Sequence, residues 1–409
     1  MRADPPAMVR LGVLALVIGA LNALVYLGFE WVVKHGTEWI WNDLAGSDEA
    51  RWRVLPLALA LSLAFSALVR ALRAPRWTDP HVDPLHDAGD DGPPPTLTSL
   101  GVILLIGGAS LLAGASLGPE ATLVAAAMAL GGWLSAGVQS RLFALTSVGA
   151  LLVAFLGSLV AAAIPLLVLY NKAKRLPLPA VAAILLAAGA AYGTLELVRG
   201  NAHGFAEIPS FDVRVRDYPA ALVLGVAAVG IGILLRWFTT LLGDLTQQLD
   251  TRLPWWLSAS VFGAVLGLLY LLGGESSQFS GAEGSAMLLT GEVRYGAAAL
   301  VGLVLVKLLA TAWSLTAGYR GGLIFPAVYA AVALSLAVAE ELPDIAGPGI
   351  LIGAIAGLLV EMTAPALGVV MLLALLPVEL LPLGFAGAVG AVAGRAALDR
   401  RARTPDDLS

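Results

Sequence analysis

Runs of residues that carry no charge set the terms on which this chain can fold. Leu11–Phe29, Leu55–Val69, Leu100–Leu117, Ala121–Gln139, Leu142–Asn171, Leu176–Leu195, Tyr218–Leu235 and Leu253–Gly274 contain no Asp, Glu, Lys or Arg. Neither do Tyr295–Val306, Leu308–Tyr319, Gly321–Ala339, Ile345–Val360, Met362–Val378 and Leu380–Gly394. Crossing a bilayer core takes about 17–25 helical residues. Several runs are shorter, and some abut with only Gly, Pro or one acid between them. Leu142–Asn171 is long enough for two elements, with Pro165 as the expected break. Charged residues make up 13% of the chain, about half of what a soluble surface needs. The expected fold is therefore an all-α polytopic membrane protein with tilted, interrupted and re-entrant helices. Period-2 patterning is absent, which argues against a β-barrel.

The loops supply an orientation. Arg70, Arg73 and Arg76, then Lys172, Lys174 and Arg175, then Arg395, Arg400, Arg401 and Arg403 form basic clusters, whereas Glu38–Glu49, Glu275–Glu292 and Glu340–Asp344 are acidic. The basic set should lie in the cytoplasm of a cell whose cytoplasmic membrane holds the chain, with the C-terminus inside. Leu11–Phe29 is long for a signal-peptide core and lacks a clear cleavage site, so it reads as a retained first helix. Trp39, Trp41, Trp52, Trp77, Trp255 and Trp256 lie near span ends and read as interfacial anchors.

An offset of 204 lays the chain on itself. Ser110–Leu130 and Ser314–Leu334 then share ten of 21 positions, but six of those are Ala or Leu. The informative matches are Ser110/Ser314, Gly114/Gly318, Gly118/Gly322 and Val124/Val328. The expected organisation is two halves, 1–210 and 211–400, followed by a short tail, 401–409. Two-fold repeats of this kind place a transporter's site near the midplane.

Both copies read apolar run, Gly-rich break, apolar run. The first break is Gly114-Ala115-Ser116-Leu117-Gly118-Pro119-Glu120 and the second is Gly318-Tyr319-Arg320-Gly321-Gly322-Leu323-Ile324-Phe325-Pro326. A helix that starts inside the membrane exposes N–H groups and the positive end of its dipole, an anion site that requires no cationic side chain. Glycine lets an ion approach the backbone, and Pro119 suits the first helical position. Tight helix packing would use the same glycines; their repeat-related positions favour the anion site. Glu120 stands at the start of the second run, where an acid costs about 2.5–3.5 kcal/mol on insertion scales. Its carboxylate would compete with a dissolved anion for the same N–H groups, so Glu120 is the expected gate and proton carrier. A first-turn acid that only complements the dipole is the plainer reading.

These residues resemble the CLC family of chloride channels and proton-coupled anion antiporters. Gly118-Pro119-Glu120-Ala121-Thr122 is similar to its G-R-E-G-P segment, whose glutamate is the external gate. Gly321-Gly322-Leu323-Ile324-Phe325-Pro326 is similar to its G-G-I-F-x-P segment, whose amides bind the anion. The fuller pattern resembles a divergent bacterial branch of ion-transport proteins. The resemblance implies inverted-topology halves, a homodimer with one pore per subunit, and transport of a small inorganic anion, chloride-like or fluoride-like. It implies anion binding at Gly118, Pro119, Glu120, Ala121, Gly322, Leu323, Ile324 and Phe325. Asp79 and His81 would line the inner vestibule if the loop after Arg76 starts the family's first pore helix.

Three departures matter. The family's G-S-G-I-P motif is replaced by Trp77-Thr78-Asp79-Pro80-His81-Val82-Asp83-Pro84; no tyrosine occurs in Leu380–Arg395; and Tyr170-Asn171 stands where the antiporters carry an internal glutamate. Proton-coupled antiport is thus the alternative to passive conduction. No cofactor is expected. His81, Asp83 and His86 lie in a polar loop without helical spacing and read as solvated, so no metal site is expected. The absence of cysteine removes thiolate chemistry, and a net charge of −5 spread along the chain offers nucleic acid no basic face. The chain is not expected to be an enzyme. Gly114-Ala115-Ser116-Leu117-Gly118 fits G-x-S-x-G, but a nucleophile elbow follows a strand, and Ser116 with His203 is a remote pairing. A major-facilitator-type carrier or a non-transporting membrane scaffold are the rivals from other classes. Lys307, Glu196, Glu361 and Glu379 are isolated charges: Lys307 would snorkel or lend positive potential to the pathway, and the acids mark helix ends or a second proton site.

Overall fold

The computed structural model describes residues 5–43, 52–72, 96–135, 140–200, 213–342, 347–363 and 365–402. Trp77, Asp79, His81, His86 and His203 lie outside them. The described residues form α1 (Pro5–Thr37), α2 (Val54–Ala71), α3 (Leu97–Leu112), α4 (Glu120–Leu134), α5 (Ser140–Leu156), α6 (Ala163–Ala173) and α7 (Leu178–Arg199). They continue with α8 (Asp217–Arg252), α9 (Trp255–Gly273), α10 (Ala282–Thr290), α11 (Ala297–Thr316), α12 (Ile324–Glu341), α13 (Gly347–Met362), α14 (Pro365–Leu375) and α15 (Leu381–Ala402). Among the described residues there is one isolated β-bridge and no named strand.

Two compact units divide the chain: Met1–Phe205 with Leu253–Gly267 and Gly318–Gly322, and the remaining segments Ala206–Arg252, Leu268–Ala317 and Leu323–Ser409. In the first, α1 packs on α5 and α7, and α3 on α4. In the second, α8 packs on α13 and α15, and α11 on α12. The repeat runs through this order. α3 ends at Leu112 and α11 at Thr316, while α4 starts at Glu120 and α12 at Ile324, each pair 204 residues apart. The same shift lays α1, α2, α5, α6 and α7 over α8, α9, α13, α14 and α15.

Differences from the sequence reading have local causes. The long run breaks at Gly157, in the left-handed region at φ 64°, and Ser158, while Pro165 lies in the first turn of α6. There a proline's missing N–H costs little. α8 continues 16 residues past Arg236, because that side chain, 51% exposed, holds its charge outside the helix packing. α11 runs unbroken through Lys307. α3 and α4 have 16 and 15 residues, so each spans about 24 Å or less, short of a bilayer core of about 30 Å.

Candidate anion site at paired helix breaks

The two breaks have the same backbone. Ala113 ends α3 at φ −74°, ψ 1°, and Ala317 ends α11 at φ −74°, ψ 0°. Gly114 follows at φ +89° and Gly318 at φ +87°, the left-handed conformation that an L side chain resists. After Gly114 the turn closes with Ala115 N–H donating to Ser110 O at 3.2 Å and Gly114 N–H to Leu111 O at 3.0 Å, a Schellman-like ending. The chain then leaves both helices without continuing either.

Gly118 and Gly322 meet next. Gly118 N–H donates to Gly322 O at 2.8 Å, and Gly322 N–H to Gly118 O at 2.7 Å. Each residue does to the other what the other does to it, the arrangement of a local two-fold. Pro119 is the N-cap of α4, not its first helical residue as expected, so that place falls to Glu120. Leu123 N–H to Pro119 O, 3.0 Å, is the first rung of α4, and Ala327 N–H to Leu323 O, 3.0 Å, is the first of α12. The N–H groups of Glu120 and Ala121, and of Ile324 and Phe325, therefore stand ahead of their ladders. Leu323 is the N-cap of α12.

Glu120 is 7% exposed. Its carboxylate lies in the space that two missing side chains leave. A Cβ on Gly118 would sit 2.0 Å from Glu120 Oε2, and a Cβ on Gly322 would sit 2.3 Å from its Cδ and 2.4 Å from its Oε1. Both glycines are thus required by the close approach of one acid. Thr122, two residues further, fills the notch at Gly107 of α3, where a Cβ would be 2.1 Å from its methyl carbon. Arg320 N–H donates to Ser110 Oγ at 2.7 Å, which ties the second break to α3. Tyr319, 1% exposed, stacks on Phe65 of α2 with ring centroids 5.0 Å apart and 7° between planes.

Two side chains have roles that composition did not reveal. Trp41 is not an interfacial anchor: it is 4% exposed, and its Nε1–H donates to Leu112 O at 2.9 Å. Its ring covers Gly114, where a Cβ would fall 2.5 Å from Cζ2. The helix end needs a donor in the membrane, and the indole supplies it. Trp39, Trp52 and Trp256 are more than half exposed, as anchors should be. Lys307 does not snorkel. It is fully buried, with Nζ donating to Ser277 O at 3.1 Å and Phe279 O at 2.6 Å, and 5.2 Å from the Tyr329 ring centroid. A lone base within charge-free sequence signalled something unusual there, but not that carbonyls of the 3₁₀ turn Glu275–Ser277 and of the residues just after it would receive it. Glu361 sits one residue before the end of α13, as its position suggested, yet it is buried against two arginines. Glu379 lies exposed in a 3₁₀ turn. Ser116 follows an α-helix, so the strand of a nucleophile elbow is missing.

Eight helices among the described residues are long and apolar enough to cross a membrane. With helices that start after glycine-rich breaks and a buried acid at the first turn of one of them, they define a polytopic membrane transport protein. The sequence profile of the family described as "Voltage gated chloride channel" matches residues 86–395, and the chain belongs to that family of anion-transport proteins. It is 27% identical over 349 residues to the "Putative ion-transport protein YfeO" of Escherichia coli strain 55989, covering 83% of this chain and 81% of that protein. The Shigella boydii serotype 18 protein of the same name matches equally. Among solved structures, a slow cyanobacterial Cl−/H+ antiporter superposes with a TM-score of 0.75 at 19% identity, covering 96% of this chain and 98% of that one. A CLC-type fluoride/proton antiporter gives 0.72 at 17% identity, covering 95% and 96%. A eukaryotic CLC transporter gives 0.68 at 14%, covering 95% and 72%. The fold is that of CLC transporters.

Proposed function

We propose that the chain conducts a small inorganic anion past Glu120, with the backbone of Gly118–Ala121 and Gly322–Phe325 forming its site and the N–H groups ahead of the α4 and α12 ladders as its ligands. The observation that carries this is the seat of the Glu120 carboxylate against Gly118 and Gly322. A carboxylate held where helix N-termini offer N–H groups is a tethered competitor for an anion. Protonation weakens that competition, and the side chain leaves. Flux should therefore rise as pH falls. The test is efflux of chloride, fluoride and nitrate from liposomes across a range of pH. Glu120→Gln should make the flux insensitive to pH; a variant whose rate and pH profile match the wild type removes Glu120 from the gate.

Proton-coupled antiport is a second reading, favoured by the two solved relatives that are antiporters. Against it, Tyr170 and Asn171 lie exposed at the end of α6 where the family resemblance places an internal glutamate. Anion-driven uphill proton movement decides between them. Asp79 and His81 remain proposals for the inner vestibule and lie outside the described residues. The offset of 204 and the reciprocal Gly118–Gly322 pair support halves of inverted topology, 1–210 and 211–400, with 401–409 as a tail. Resemblance supports a homodimer, and the arginines near the end support a cytoplasmic C-terminus in the cell membrane.

A further inference from the structure

The second unit carries a charged cluster that the transport reading does not use. Contacts of Gly353 with Ala221, of Gly357 with Gly225 and of Gly232 with Glu361 advance together along α8 and α13. Those of Gly390 with Leu222 and Gly394 with Val226 advance together along α8 and α15. The three helices therefore run parallel. Near the C-terminal end of α13, Gly232 in the middle of α8 makes room for Glu361, since a Cβ there would sit 2.6 Å from Glu361 Cγ.

The Glu361 side chain is 1% exposed, and its Oε1 accepts from both Arg236 Nη2 and Arg395 Nη1, the latter at 2.6 Å. Arg395 Nε also reaches Asp399 Oδ1 at 3.1 Å. A buried carboxylate thus holds side by side two guanidiniums that would otherwise repel. Each has five donors, so much of each fork stays available, and the side chains are 51% and 46% exposed.

Exposed apolar side chains continue from the arginines toward the helix N-termini, Ile233 on α8 and Val389 and Val392 on α15, with Trp237 exposed beside Arg236. Apolar strips ending at paired cations and an exposed tryptophan match an amphiphile with an anionic head. Basic pockets between membrane helices recognise acidic headgroups by this chemistry.

We infer that Arg236 and Arg395, clamped by Glu361, hold the phosphodiester head of an anionic phospholipid, whose acyl chain follows Ile233, Val389 and Val392. The test is native mass spectrometry and thermal denaturation of the full-length protein in neutral detergent, with phosphatidylglycerol, phosphatidylcholine or inorganic phosphate added. The expected preference for phosphatidylglycerol over phosphatidylcholine is about 30-fold, roughly five-fold per arginine. Arg236→Gln and Arg395→Gln should each lose about five-fold of that preference, with phosphatidylcholine binding falling less than phosphatidylglycerol binding. Equal retention of the two lipids by the wild type overturns the site. So does stabilisation reproduced by inorganic phosphate alone, or single variants with wild-type preference. The wild-type comparison needs no substitution, so it decides even where a variant fails to fold.

Discussion

Gly322→Ala places a methyl group where Glu120 now lies. The clash is severe: 2.3 Å to both Cγ and Cδ and 2.4 Å to Oε1. Gly322 is outside the left-handed region, so alanine fits its backbone and the effect is steric alone. Overpacking of this kind costs about 1–3 kcal/mol. A side chain can rotate where the paired Gly118 and Gly322 backbones cannot, so the cost falls on the seat of the carboxylate. At about 1.4 kcal/mol per tenfold, the seated population drops about 5- to 150-fold. Anion efflux from liposomes at neutral pH should rise, and its dependence on pH should flatten toward that of Glu120→Gln. Gly118→Ala attacks the same seat from its other side, 2.0 Å from Oε2. Gly321→Ala is the control, because its clash is with Leu117 Cβ at 2.6 Å and Gly118 O at 2.7 Å. It should lower stability and keep the pH profile. Folded Gly322→Ala protein with wild-type flux and pH profile would refute the reasoning.

Trp41→Phe removes the donor to Leu112 O while keeping most of the ring over Gly114, and should lower stability by about 1 kcal/mol, read as a fall in thermal midpoint in detergent. Lys307→Met leaves the carbonyls of Ser277 and Phe279 without their ammonium, at a cost of about 2 kcal/mol or more. Faster hydrogen exchange confined to 274–281 would report it, and unchanged exchange would show that the lysine does not hold that segment. Gly318→Ala forces a side chain into φ +87° and should cost about 1 kcal/mol or more, measurable by the same melting assay. A variant as stable as the wild type would mean that the turn relaxes.

Both breaks were legible because their signals are local. Gly114, Gly118, Pro119, Gly318 and Gly322 stop helices by their own backbone properties; α4 starts at Glu120, one residue after the expected Pro119, and α12 starts at Ile324, inside the second break. Pro165 misled because a proline breaks a helix only in its interior; in the first turn of α6 it is tolerated, and Gly157 took the role. The charge-free run stops at Leu235, yet α8 passes through Arg236, because a long side chain can carry its head out of the packing.

Sequence by itself determined the membrane class, the offset of 204, the two interrupted helix pairs and the lone acid among apolar residues. These follow from composition, periodicity and the backbone habits of glycine and proline, all of which act over a few residues. Only tertiary structure decided that Gly118 and Gly322 pair with each other and share the Glu120 carboxylate. It also decided that Trp41 caps α3, that Lys307 is buried on carbonyls and that Glu361 gathers two arginines. Such partners lie tens to hundreds of residues apart, and a buried polar group takes whatever donor or acceptor the packing brings to it. No pattern along the chain encodes that choice.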